Sequence, residues 1–264
     1  FCILNSVAVG AAYAKYNYKD QVKRIAIIDF DVHNGDGTAA IVRNLKPHQI
    51  TKRLGPLASM TTSSYKPWLD QDDSENVFFC SMHLTADDFY PRMARSEYFN
   101  GVDPTFELRT TGQDNDSEYP NILNIPLPKT KTKEESSAMF RGSVTNCMIP
   151  KLRAFQPDVI FLSSGFDGHY EDIKGNSGMS HLVEEDYEWI THQLMDVGDE
   201  LCQGRVISVL EGGYHVERPA PLPPRNNRRK SHFPSLKEAT KPLPGALATC
   251  VSAHIKALMR SCDE

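Results

Sequence analysis

Five short apolar runs recur along the chain, at residues 23–29, 77–82, 121–126, 158–164 and 205–210, each closed by polar or glycine-rich residues. Runs of this length bounded by turn signals read as strands buried on both faces. Between them lie segments of helical periodicity at 2–16, 38–44, 132–155, 184–201 and 245–259. In 132–155 the apolar positions Phe140, Val144, Cys147, Met148, Leu152 and Phe155 fall at helical spacing, and Pro150 is expected to kink or end that helix. The last helix is expected to turn Leu247, Val251, Ile255 and Leu258 inward. Strands alternating with helices predict an α/β fold of three layers, α/β/α, around a mainly parallel sheet.

Two stretches interrupt the alternation. Residues 46–75 carry Pro47, Gly55-Pro56 and a Thr-Thr-Ser-Ser run, and residues 216–244 are Pro-rich and basic. Both read as insertion loops in a single domain spanning 1–264. Residues 84–118 show no clean period, and no internal repeat is present. The sequence opens on Phe1 inside an apolar helical pattern, so we read it as a fragment whose N-terminal portion is missing.

Composition narrows the class only a little. Forty per cent hydrophobic and 24% charged residues are ordinary for a globular protein. A net charge of −5 gives no nucleic-acid footprint. Cys2, Cys80, Cys147, Cys202, Cys250 and Cys262 form no Cys-x-x-Cys pair, which predicts a reduced, intracellular protein. No 18-residue apolar run predicts a membrane span.

The chemistry concentrates where the first strand ends, in Ile25-Ala-Ile-Ile-Asp29-Phe-Asp31-Val-His33-Asn34-Gly35-Asp36-Gly37-Thr38. In extended chain, Asp29, Asp31 and His33 alternate and so point to one side. Asp31 and His33 can then grip one cation together. Buried charge at this density is costly unless a metal or hydrogen bonds compensate it, and ligands of open α/β sheets sit at the carboxyl ends of strands. An EF-hand fails here, because its sixth position is Asn34 where Gly is needed and its twelfth is Ala40 where Glu is needed. A two-manganese site lacks its further carboxylates, since Gly35, Gly168 and His169 stand in their places.

The stretch Asp29 to Thr38 resembles the zinc-site signature of the histone deacetylase family, of arginase/deacetylase fold. Phe161-Leu-Ser-Ser-Gly165-Phe-Asp167 and Leu210-Glu-Gly-Gly-Tyr214 resemble the same family in the same order. Shorter matches fall in register at Phe1-Cys-Ile-Leu-Asn5, Cys80-Ser-Met-His83, Phe89-Tyr-Pro91 and Ile125-Pro-Leu127. Glu211 before the two glycines is more similar to class II members than to class I.

The resemblance implies one catalytic Zn²⁺ on Asp31, His33 and Asp167, with an open position for water and substrate. It implies Tyr214 as a donor to the substrate oxygen as charge develops. It implies that Asp29 and Asp36 each support one of two proton-handling histidines, which lie before Phe1 and so outside this chain. It further implies a structural K⁺ held by Asp29, Ser81 and the carbonyls of Asp31, His33 and Met82. Phe1 and Tyr90 would line a narrow channel for an acyl-lysine side chain. Asn34 departs from the family, which usually places a second His there beside the metal ligands. Lys174 stands near the rim, where a cation disfavours polyamines. The implied activity is hydrolysis of acetyl-lysine in histone tails or other proteins, class II-like, in a multi-protein complex of the nucleus or cytoplasm, without direct contact to nucleic acid or membrane. An acetylpolyamine amidohydrolase is the alternative within enzymes, and a catalytically degenerate scaffold is the alternative outside them.

Overall fold

The apolar runs form one sheet in the computed structural model, which describes residues 3–55, 58–86, 89–90, 119–218 and 243–259, with backbone alone at 52, 53 and 55. In chain order the strands are β1 (Ile25–Asp29), β2 (His48–Gly55), β3 (Ala58–Ser64), β4 (Val77–Thr85), β5 (Ile122–Pro128), β6 (Val159–Ser164) and β7 (Val206–Leu210). Five of them pair in parallel in the order β5-β4-β1-β6-β7. The chain therefore leaves β1 for one side of the sheet, then returns to its other side with β6. That reversal opens a crevice at the carboxyl ends of β1 and β6, where open α/β sheets bind ligands.

Strand alternation divides the core into two layers. Ala26, Ile28, Ile160 and Leu162 face Phe140, Leu152, Tyr187, Ile190, Leu194 and Cys250. Those residues come from helices Lys133–Ser143, Ile149–Phe155, Glu184–Cys202 and Ala246–Met259. Ile25, Ile27, Val159 and Phe161 face Val7, Ala11, Ala39 and Val42 of helices Ser6–Asn17 and Asp36–Arg43. The three-layer expectation holds. Asn5 fixes the start of the first helix, its Oδ1 accepting from Ala8 N–H at 2.8 Å, while its Nδ2 donates to Thr38 Oγ1 at 2.8 Å. The two helices of the second layer are thereby tied together.

Three expectations need correction. Residues 46–75 are not simply a loop, because β2 and β3 form an antiparallel hairpin in register from His48↔Ser64. Its Thr51 and Thr61 hydroxyls pair across the strands at 2.9 Å, but β3 is exposed along nearly all its length. With no buried face there is no apolar alternation to read. The helix expected at 132–155 is split by a π-helical turn at Val144–Met148, in which Ile149 N–H donates to Val144 O. Pro150 has no N–H to give, and its ring would collide with the carbonyl four residues back. The widened turn before it relieves both, and it leaves Cys147 exposed. In the last helix Leu247, Val251 and Leu258 pack half-buried against the core as expected, but Ile255 is 46% exposed, and the fully buried positions are Ala246, Cys250, His254 and Ala257. His254 takes the core-facing position because it has partners there: Thr191 Oγ1 at 2.7 Å and Ser208 Oγ at 2.8 Å. The stretch 216–244 leaves and re-enters the fold at one point. There β8 (Glu217–Arg218) pairs with β9 (Leu243–Pro244), and the residues between lie outside the described ones.

Two buried polar groups carry stability that the layers alone do not supply. Asp73 Oδ2 accepts from the N–H groups of Trp68 and Leu69 at 2.6 and 2.7 Å, closing the loop that leads into β4. Its other oxygen lies 3.3 Å from Lys15 Nζ, and both side chains are buried. Lys15→Met leaves that carboxylate charged and unpaired, which typically costs about 3–5 kcal/mol. Urea titration should show that loss, with a lowered midpoint.

His254 sets a pH dependence. Burial pushes its imidazole from the ordinary 6.5 down to about 4. Between these values the unfolded chain binds more protons than the folded one, so stability falls as pH falls from 6.5 to 4. This side chain contributes a slope of up to about 1.4 kcal/mol per pH unit. His254→Gln keeps a donor and an acceptor without titrating. Unfolding measured at several pH values should give a shallower slope for the variant across that window, and the same slope above pH 7.

Candidate metal centre

Three side chains meet in the crevice between β1 and β6. Asp31 and His33 follow β1 at alternate positions, and Asp167 follows β6. Their ligand atoms all lie within 4.8 Å of one another. His33 Nδ1 is 2.9 Å from Asp31 Oδ1 and 3.0 Å from Asp167 Oδ2. Both carboxylates thus converge on one ring nitrogen.

Backbone groups aim these side chains. Asp29 Oδ1 accepts from Asp31 N–H at 3.1 Å, and Asp31 Oδ1 accepts from His33 N–H at 2.8 Å. Val32 N–H reaches across to Asp167 Oδ1 at 3.1 Å. Gly212 N–H, arriving from the end of β7, donates to Asp31 Oδ2 at 2.9 Å. Asp167 Oδ2 is buried and takes no backbone N–H among the described residues; it faces the His33 ring nitrogen at 3.0 Å.

The electrostatics ask for a cation. Burial by itself would hold His33 below its usual range, but the carboxylates of Asp167 and Asp31 overturn this and push it up to about 10. Burial, with Asp31 adding, holds Asp29 well above the usual carboxylate range. Asp167 is raised likewise, chiefly by burial. A proton on His33 balances only one of the two carboxylates. A divalent cation on a neutral His33 would balance both. The donor set, one imidazole nitrogen and two carboxylates, is one that Zn²⁺ accepts with a position left open. Asp31 Oδ1 and Asp167 Oδ2, which share the one His33 nitrogen, fit that role.

Glycine makes room for the cluster. A methyl group on Gly212 would sit between Asp167 Oδ2 and Asp31 Oδ2, and one on Gly165 would collide with Asp31. Gly213 has φ +154°, and a side chain there would strike Leu247.

Tyr214 follows on the same loop and is half-exposed. Its N–H and that of His215 both donate to Asp172 Oδ2. Gly175 packs between Asp167 and the Tyr214 ring. Lys174, exposed, is the neighbour of Gly175 in the single-turn helix Ile173–Asn176. Asp36 accepts from Tyr90 Oη at 2.8 Å. Asp29 faces Ser81 in the register of β1 and β4. Neither Asp29 nor Asp36 has a histidine as hydrogen-bond partner among the described residues. Phe1 lies outside the described residues. Tyr90 meets the His33 ring edge-on at 6.2 Å.

Several residues of the site were given no role from the sequence. Phe89 stacks flat on His33, with ring centroids 5.0 Å apart and planes 14° apart. Asp172 holds the Tyr214 loop from 42 residues away. Asn176 Nδ2 donates to the carbonyls of Asp167 and His169 at 2.9 and 2.7 Å. His83, buried, lies 3.1 Å from Asn34 Nδ2, and burial lowers its pKa to about 4. Only Phe89 and His83 stood in stretches already singled out.

Known proteins are similar to this chain. The family model of the histone deacetylase domain matches residues 1–221. A type-2 histone deacetylase 2 of Dictyostelium discoideum is 33% identical over the whole of this chain, which spans 11% of that protein's length. The polyamine deacetylase HDAC10 of Danio rerio is 26% identical over 82% of this chain and 24% of its own. The structure of the histone deacetylase Clr3 matches at a TM-score of 0.60 with 20% identity, covering 97% of this chain and 30% of that one. The chain belongs to the histone deacetylase family, and its sheet and helices have the arginase/deacetylase type of fold.

The cradle can be tested directly. Gly212→Ala should weaken zinc binding by about 10–100-fold, the usual scale for displaced groups around a metal. Gly142→Ala should leave it unchanged, because nothing lies within 4 Å of the added methyl. Competition against a chromogenic chelator reads both.

Proposed function

We propose that this domain serves a zinc-dependent protein-lysine deacetylase, class II-like. The observation that carries the reading is the Asp31–His33–Asp167 cluster, set at the reversal of strand order, with two carboxylates sharing one imidazole nitrogen. Family membership supports the same chemistry. Asp31, His33 and Asp167 would hold the metal. Zinc, when bound, polarises an amide carbonyl and lowers the pKa of a bound water.

The chain's own residues supply the rest. Tyr214, on a loop pinned by Asp172, donates a hydrogen bond to the amide oxygen as negative charge grows on it. Phe89 walls His33 on one face, and Tyr90, edge-on to the same ring, would form a side of the channel for four methylenes and a neutral amide. Asp29 and Asp36 support the groups that move the proton from water to the leaving amine. A K⁺ beside Asp29, Ser81 and the carbonyls of Asp31, His33 and Met82 belongs to the same reading; burial and the neighbouring Asp31 disfavour a charged Asp29, and a cation there would offset that cost. The substrates are acetylated lysines of histone tails or other proteins, met in a multi-protein complex in nucleus or cytoplasm. A net charge of −5 suits such basic tails.

The relative that deacetylates polyamines makes that substrate the second reading. The exposed Lys174 argues against it, because it places a cation where a polyamine would bring another.

Zinc content and acetate release from an acetyl-lysine peptide test the reading, on a protein that also carries the two proton-handling histidines, with wild type beside Asp167→Ala; the chain as it stands should bind zinc without appreciable turnover. One zinc and steady acetate in wild type, and neither in the variant, is the expected result. Zinc without acetate from either peptide or acetylpolyamine would leave a scaffold. Lys174→Glu should shift the ratio of acetylpolyamine to acetyl-lysine hydrolysis upward by about tenfold, the worth of ~1.4 kcal/mol. An unchanged ratio removes Lys174 from the selection of substrate.

A further inference from the structure

The loop that carries Asp31 and His33 is held from behind by a closed circuit of hydrogen bonds. Past the end of β1 the chain bends at Asp31, Val32 and His33, with Asp31 and His33 in the metal cluster and Asn34 turned to β4. Val32 O accepts from Leu84 N–H at 2.9 Å, so the loop stays zipped to β4 beyond the paired register of β1, which ends at Asp29↔Ser81. Asn34 Nδ2 then lies 3.1 Å from His83 Nε2. His83 Nδ1 lies 3.0 Å from Ser81 Oγ. Ser81 Oγ in turn accepts from Gly35 N–H at 3.3 Å.

Asn34 and Gly35 are consecutive. The path Asn34–His83–Ser81–Gly35 therefore returns to the chain one residue from where it left. It clamps the turn immediately after His33 onto β4. Ser81 and His83 are buried, which makes them fixed anchors. A neutral imidazole has one donor and one acceptor, and here each nitrogen has its own partner. The short amide of Asn34 meets this ring with a donor or an acceptor as needed, whereas an apolar side chain leaves a buried nitrogen unpaired.

We propose that Asn34 is a positioning residue for the metal: acting through His83 and Ser81, it locks the turn after His33 and so sets how tightly the cation is held. The proposal rests on the metal reading above and adds to it. It also turns the departure at position 34 from a sign of decay into a working part of the loop, paired with a partner on the next strand.

The test is zinc affinity of the chain, read by chelator competition, for wild type, Asn34→Ala, His83→Phe and the double variant. Circular dichroism checks that each is folded. Asn34→Ala should weaken zinc by about 10–100-fold. In the His83→Phe background the same change should matter less than about twofold, because the circuit is already open. Equal losses in both backgrounds overturn the proposal, since Asn34 would then act without His83. A loss under threefold for Asn34→Ala alone overturns it too. If His83→Phe does not fold, the ring-nitrogen NMR shifts of His83 decide. One locked neutral tautomer in wild type and a mixture in Asn34→Ala supports the circuit, and identical spectra overturn it. A wild-type chain that binds no zinc would instead sink the metal reading itself, a result distinct from either.

Discussion

Two buried carboxylates facing one imidazole nitrogen form the constraint on which the rest of the site depends. Asp31 and Asp167 come from chain segments 136 residues apart, joined at the one place in the sheet where the strand order reverses. Like charges so close in a water-poor crevice repel, and burial makes each dearer. His33 relieves one of them. The other remains the reason a cation belongs there. The surrounding backbone is arranged to keep this awkward group together. Val32 N–H donates across the crevice to Asp167, and Gly212 N–H, from a third segment after β7, donates to Asp31.

Close approach of backbone is the second requirement, and it is met by absent side chains and by distant anchors. Gly165 and Gly212 leave the carboxylates the volume that a Cβ would take. Asp172 and Asn176 hold the neighbouring turns by accepting from and donating to peptide groups, so that the Asp167 and Tyr214 loops share one scaffold. None of these residues needs to touch a substrate. Their work is to keep flexible loops as fixed as strands, which a site of this charge density requires.

What could be read from the sequence follows from what is local. The three central strands were legible because burial on both faces writes an unbroken apolar run, as in Ile25-Ala-Ile-Ile, and the partly buried edge strands β5 and β7 by their apolar content between turn residues. Asp31 and His33 were legible as a pair because strand period alone points them the same way. The β2–β3 hairpin was not, since polar Thr and Ser on both faces leave no pattern. The split at Val144–Met148 could be foreseen only as a disturbance near Pro150, not as a π turn. Ile255 and His254 show the limit most plainly. Periodicity favoured the apolar residue, yet hydroxyls on two other elements made the histidine the better core residue. Partners such as Asp172 for the Tyr214 loop, or His83 for Asn34, lie 42 and 49 residues away and leave no trace in spacing.

The buried histidines show how one residue type is given opposite duties by what faces it. Burial acts on His33, His83 and His254 alike and favours the neutral ring in all three. His83 and His254 face only hydroxyls and an amide, which bond a neutral ring without favouring charge, and both are pushed to about 4. They are braces, one behind the metal loop and one between the last helix and the end of β7. His33 faces two carboxylates, and these outweigh burial. A charged brace behind the loop would set a second cation against the one the carboxylates call for. Neutral amide and hydroxyl partners at Asn34 and Ser81 avoid that conflict, so the chemistry of the brace is matched to the charge it must not carry.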